Sequence, residues 1–125
     1  MDTERMRQPP RERFAVESTT LDLRTELEAL RAEDAPTRHG HRQKSLFKHG
    51  GRTIALFMMD AGATLPEHGA AGTVTVQPIE GVLMMVVAGK EEQLVSGQIL
   101  IMPPRIRHAV TAITAAVFLL QVSLE

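Results

Sequence analysis

The chain contains no cysteine, no tryptophan and no tyrosine, and its only large aromatic side chains are four phenylalanines. Without cysteine there can be no disulfide, no thiolate metal ligand and no thiol nucleophile. Without tryptophan or tyrosine there is little to stack the bases of a single-stranded nucleic acid. Neither sign of charge dominates. Fourteen basic and fifteen acidic residues leave a formal net charge of −1, which favours neither a nucleic acid nor an anionic membrane. Apolar runs stop at about seven residues, far short of the roughly 20 needed to cross a bilayer. The first residues are polar and charged and lack the apolar core of a secretory signal, so a cytoplasmic protein is expected. A Gly-x-Ser-x-Gly elbow, a phosphate-cradling glycine loop and a dinucleotide fingerprint are all missing.

What is present reads as one domain. At 125 residues, 43% hydrophobic and 23% charged, the chain is long enough to bury a core. Residues 1–13 carry Arg5, Arg7, Arg11 and Arg13 beside Pro9 and Pro10, with no apolar periodicity, and are expected to form a flexible arm. Residues 14–43 are expected to hold a helix and a linker. Leu23, Leu27 and Leu30 recur at helical spacing and predict a helix over 20–33. Thr19 or Thr20 would cap it, Asp22 would sit in its first turn, Glu28 and Arg31 would pair on its surface, and Pro36 would stop it.

From residue 44 to 125 the pattern is strand. The predicted strands are 44–49, 52–60, 64–67, 73–80, 82–88, 91–95, 98–102, 107–113 and 115–124, with Gly or Pro in most gaps. Many short strands with regular turns indicate an all-β sandwich or closed barrel. The segments Ile54 to Met59 and Val82 to Val87 are apolar at every position. A barrel strand needs only one apolar face, so both outer faces require cover. The helix would cover one patch and a second subunit the other, which predicts a homodimer with these strands near its interface.

Two segments carry a family resemblance. The first contains Gly62, His68 and Gly81, and the second Gly97, Pro103 and His108. In order and spacing these resemble the two signature motifs of the cupin superfamily, and the likeness runs over residues 44–124. A further likeness, through Leu65 to His68, Val74 to Gln77 and Ile79 to Gly81, is to small single-domain bacterial cupins. The resemblance implies a double-stranded β-helix, or jelly-roll barrel, with one N-terminal helix. It also implies a mononuclear metal site, typically His-x-His, Glu and a later His. Here Ala70 stands at the second histidine position, Val74 at the glutamate, Arg105 at a usual glycine and Ala112 at a frequent asparagine.

The remaining donors define the candidate site. His68 and His108 are expected to face inward, near each other, with Gln77 as a tentative third ligand through its amide oxygen. Strand parity argues against Gln77, because Thr73, Thr75 and Gln77 alternate with Val74 and Val76. One divalent transition metal (Fe, Mn, Ni or Zn) or none is therefore expected. His68, His108, Gln77, Met58, Val76 and Ile106 form the candidate ligand-binding set. His39 and His41 read as loop residues beside Gly40. Arg105 and Arg107 are either solvated rim residues or cations that draw a carboxylate to the barrel mouth. Three functions stay open. The first is a barrel that binds a small organic ligand with a degenerate metal centre. The second is a metal-dependent enzyme of dioxygenase or isomerase type using His68 and His108. The third is a ligand-free oligomeric scaffold.

Overall fold

One helix and nine strands make up residues 18–33 and 39–124, the part of the chain described by a computed structural model. The expected arm over residues 1–13 and the expected helix stop at Pro36 lie outside these residues. Helix α1 spans Leu23–Arg31. Its cap is Asp22 and not a threonine: the Asp22 carboxylate accepts from the Thr25 amide at 3.0 Å. That hydrogen bond holds the Asp22 carboxyl below its ordinary pKa.

The strands are β1 (His41–His49), β2 (Arg52–Met59), β3 (Thr64–His68), β4 (Thr73–Glu80), β5 (Val82–Val87), β6 (Lys90–Val95), β7 (Leu100–Met102), β8 (His108–Ala112) and β9 (Ala116–Ser123). They form two antiparallel sheets, ordered β1-β2-β9-β4-β7 and β3-β8-β5-β6, which is the connectivity of a jelly-roll barrel. The all-β barrel with one N-terminal helix is thus the observed architecture. β1 begins at His41, ahead of residue 44, because its first residues pair with Met59 and Met58.

The alternation of side chains builds two cores. Inside the barrel lie Ala55, Phe57, Met59, Val74, Val76, Leu83, Met85, Leu94, Met102, Val110, Ala112, Ala116 and Phe118. The rings of Phe57 and Phe118 stack across β2 and β9 with centroids 4.9 Å apart. The second core lies on the outer face of the five-stranded sheet, where Leu27 and Leu30 of α1 meet Leu46, Leu56, Val117 and Leu119. Burying each helix leucine contributes about 1.5–3 kcal/mol.

Charged groups set the helix on this sheet. Lys44 pairs with Glu26 at 2.9 Å, and Arg31 pairs with Glu80 of β4 in place of the expected Glu28. Arg42 donates through Nη1 to the carbonyl oxygens of Leu30 at 3.0 Å and Glu33 at 2.8 Å. The end of a helix leaves such carbonyls without partners, so Arg42 acts as a side-chain cap supplied by β1.

One of the two apolar strands is therefore covered by the chain itself. Ile54, Leu56 and Met58 of β2 pack toward α1. On β5, Val82, Met84 and Val86 face outward and remain partly exposed.

Gly81 and Gly89 both sit in left-handed turns, with φ of +80° and +81°. Their surroundings differ. A Cβ on Gly81 would collide with the Ala115 carbonyl and lie 2.8 Å from the Ala116 Cα, whereas nothing lies within 4 Å of one on Gly89. Gly81→Val is expected to cost about 3 kcal/mol or more, combining conformational strain with a backbone clash. Gly89→Ala should cost only about 1 kcal/mol. Urea unfolding of both variants, followed by circular dichroism, checks the difference. Equal losses would misplace the Gly81 turn.

Candidate functional site

β3 does not run regularly to His68. Thr64 and Leu65 pair with Thr111 and Val110, and the register then shifts so that His68 pairs with His108. Two residues, Pro66 and Glu67, therefore stand opposite Ala109 alone. Proline has no amide hydrogen for the ladder, and a bulge is where a strand accommodates it. On the far side of β8, His108 pairs with Val87 of β5. His68, His108 and Val87 thus form one row across three strands, at the barrel end opposite Gly81.

The imidazoles meet edge to face, with ring centroids 4.3 Å apart. His108 is only 2% exposed, while His68 is exposed to solvent. Their hydrogen bonds follow the same pattern. Nδ1 of His68 lies 2.8 Å from the carbonyl oxygen of Pro66, and Nδ1 of His108 lies 3.1 Å from that of Ile106. A carbonyl can only accept, so each Nδ1 carries a proton, and in a neutral ring Nε2 is then the acceptor. Burial lowers the pKa of His108 below the ordinary imidazole value. The Ile106 carbonyl opposes this shift, and His68 adds to it. Burial thus favours the neutral form of His108, whose Nε2 is then a hydrogen-bond acceptor.

The rim is closed by the segment between β7 and β8. The Arg105 amide donates to the Ala70 carbonyl at 2.8 Å, which ties this segment to the residues just after β3. Arg105 has φ of +66°, a left-handed conformation that a non-glycine residue adopts at a cost. Arg107 is bound to Glu67 through Nε at 2.5 Å across β3 and β8. Both partners are exposed, so the pair contributes less than about 1 kcal/mol.

Only part of the expected site is assembled. His68 and His108 come together. Ile106 is half-buried and contributes the carbonyl that fixes His108. Val76 points into the barrel but is wholly buried in its core. Gln77 does not join them. Val74 and Val76 take the inward places on β4, and Gln77 pairs with Leu119, which belongs to the core under α1. Met58 is also displaced, because Phe57 and Met59 take the inward places on β2 and leave Met58 on the helix side. The other three histidines lie elsewhere: His39 precedes β1 at φ of +53°, and His41 and His49 belong to β1, the edge strand of the other sheet.

A mononuclear transition-metal site needs about three or four donors. Among the described residues no group of three or more His, Cys, Asp or Glu side chains is arranged to hold a metal ion. The pinned Nδ1 atoms resemble those of metal-ligating histidines, whose second nitrogen is also held by a hydrogen bond. The donor set nevertheless falls short of the site that the motifs imply. Sequence reasoning found the histidine pair but missed the β3 bulge and the Arg105 conformation. Pro66, and a non-glycine residue at a usual glycine position, were the available signals.

With the jelly roll and its histidine end defined, the fold is that of the cupins. No protein-family model matches the chain, and no curated protein matches it in sequence. Solved structures do. The chain is similar to a conserved protein of unknown function from Streptococcus pyogenes, with a TM-score of 0.70 and 21% identity over 95% of this chain and 96% of that one. It is similar to a cupin superfamily protein from Desulfitobacterium hafniense, with a TM-score of 0.67 and 16% identity over 73% of this chain and 84% of that one. It also resembles a variant of salicylate 1,2-dioxygenase from Pseudoaminobacter salicylatoxidans, with a TM-score of 0.65 and 18% identity over 79% of this chain and 31% of that one. Identities this low carry the fold and not the reaction. Among the described residues no helix is long and apolar enough to cross a membrane.

The pKa of His108 couples the site to stability. In the folded protein His108 takes up its proton less readily than in the unfolded chain, where the value is about 6.5. Its contribution to stability is therefore complete above about pH 6.5. It is lost as the pH falls from there toward the lower folded value. The unfolding free energy of the parent should decline between pH 7.5 and 5, and in His108→Asn this decline should be smaller. Urea titrations across that range test it. An identical slope in both proteins would mean that His108 is not the group responsible.

Proposed function

We propose that the protein binds a small organic molecule at the end of the barrel, against the His68–His108 pair, without a metal centre of the usual cupin kind. The observation that carries this reading is the matched pair of Nδ1–carbonyl hydrogen bonds. In neutral rings they leave each Nε2 as an acceptor, while Ala70 and Val74, at the positions where the motif would supply further ligands, cannot hold a cation. Two acceptors against an apolar wall suit a ligand with an O–H or N–H group and an apolar body. Ile106 borders this site, while Val76, Met58 and Gln77 lie outside it.

A second reading, a metal-dependent enzyme of dioxygenase or isomerase type, draws on the same histidines and on the likeness to the salicylate dioxygenase variant. Elemental analysis separates the two. Untagged protein offered Fe, Mn, Ni or Zn and then gel-filtered should retain less than about a tenth of an equivalent. About one equivalent, lost in His68→Ala, would establish the metal reading instead. In the ligand reading, screening small molecules by NMR should shift the His68 and His108 ring signals, and His108→Ala should abolish binding of any hit.

The same reading includes a homodimer, formed through the outer face of the four-stranded sheet. Val82, Met84 and Val86 lie there, and Val95 of β6, paired with Val82, is 38% exposed. β2, the other strand expected at the interface, is covered by α1 instead. Placing a charge in the middle of this face, as in Met84→Glu, should give a folded monomer by sedimentation velocity where the parent sediments as a dimer. A monomeric parent, or a dimeric variant, would remove this interface.

A further inference from the structure

Arg105 combines three properties that structure alone does not require. Its φ of +66° is strained for any residue with a Cβ, and glycine would relieve the strain. Its amide is nonetheless fixed by the Ala70 carbonyl at 2.8 Å, so the conformation is imposed on it. Its side chain is exposed and makes no ion pair or hydrogen bond among the described residues. Arg107, two residues on, is neutralised by Glu67. A solvated rim arginine in an ordinary conformation would need no explanation. An unpaired one held at a strained position does.

Its location supplies one. The backbone of Arg105 packs on Gly69, the residue after His68: a Cβ placed on Gly69 would lie 3.8 Å from the Arg105 carbonyl carbon. The next residue, Ile106, provides the carbonyl that fixes His108. Arg105 therefore stands at the edge of the histidine pair. Among the described residues no acidic side chain pairs with it. Ala70 and Val74 carry no charge, Glu67 is turned to Arg107, and the histidines form no cluster with Asp or Glu among the described residues. Burial favours the neutral form of His108, and among the described residues Arg105 makes no ion pair, so its guanidinium is an uncompensated fixed charge at the edge of the histidine pair. A guanidinium fork is shaped to take a carboxylate through two parallel N–H···O bonds.

We propose that Arg105 is a specificity-determining residue for the site above, and that the ligand is a small monocarboxylic acid with an apolar body. This rests on the reading that the His68–His108 pair binds an organic molecule. The carboxylate is taken by Arg105 at the rim, and the body lies toward Ala70 and Val87, over the imidazoles. The strain at residue 105 is the cost of placing a cation there.

Benzoate and its neutral counterpart benzamide provide the test, titrated at low ionic strength into the parent, Arg105→Gly and Arg105→Lys, with the His68 and His108 ring signals followed by NMR. In the parent, benzoate should bind about tenfold or more tighter than benzamide. In Arg105→Gly the two should bind alike, while the thermal midpoint stays equal to the parent's or rises, because glycine relieves the strain. Arg105→Lys should keep part of the preference. Equal binding of both compounds by the parent would overturn the role of Arg105 and leave the pocket reading standing. A benzoate preference that persists in Arg105→Gly would overturn it likewise. If neither compound moves the histidine signals, the pocket reading fails and this proposal fails with it.

Discussion

β9 is buried on both faces, and the molecule is organised around that burial. Phe118 and Ala116 point into the barrel, Val117 and Leu119 point to the helix, and β2 and β4 pair along its two edges. The period of two in a strand separates these side chains with no freedom to trade places. A slip of one residue would put Phe118 beneath α1 and Leu119 inside the barrel, and both cores would fail together. Helix position, barrel interior and sheet order therefore depend on a single register. The ion pairs around α1 orient the helix on a surface that this register has already made.

The two ends of the barrel are put to different uses. At the Gly81 end the backbone turns so tightly that the Ala115 carbonyl occupies the space a side chain would need. At the other end the polar groups gather: His68, His108, Arg105 and the Arg107–Glu67 pair. Between them lies a core of methionine, aliphatic and phenylalanine side chains, nearly all of it excluded from water. The proposed ligand site therefore concerns this rim and not the filled barrel interior. The barrel interior itself matches much of what the ligand-free scaffold reading expects, and the paired histidines are what set the present reading apart from it.

The strands were legible because alternation, glycine turns and motif spacing all pointed the same way. Ala88-Gly89 marks its hairpin with two consecutive positive φ values, as a two-residue turn between twisted strands requires. The helix was legible from three leucines, although its cap was not. Thr19, Thr20 and Asp22 are all good caps, and which one serves depends on where the chain leaves the sheet. His68 and His108 were legible as a pair because the motif spacing carried them. The placing of Met58 was not, since a strand apolar at every position contains no sign of which face is inside. The left-handed Arg105 was equally hidden, because composition says nothing of a backbone angle imposed by a distant carbonyl.

The bulge in β3 has a consequence for the charge of the site. Leu65 faces the barrel, so a regular ladder would next turn Glu67 inward and His68 outward. The extra residue exchanges them: the imidazole turns toward His108, and the carboxylate goes to the surface, where Arg107 holds it. Pro66, which has no amide hydrogen to give the ladder, sits in the bulge that keeps a carboxylate from facing His108.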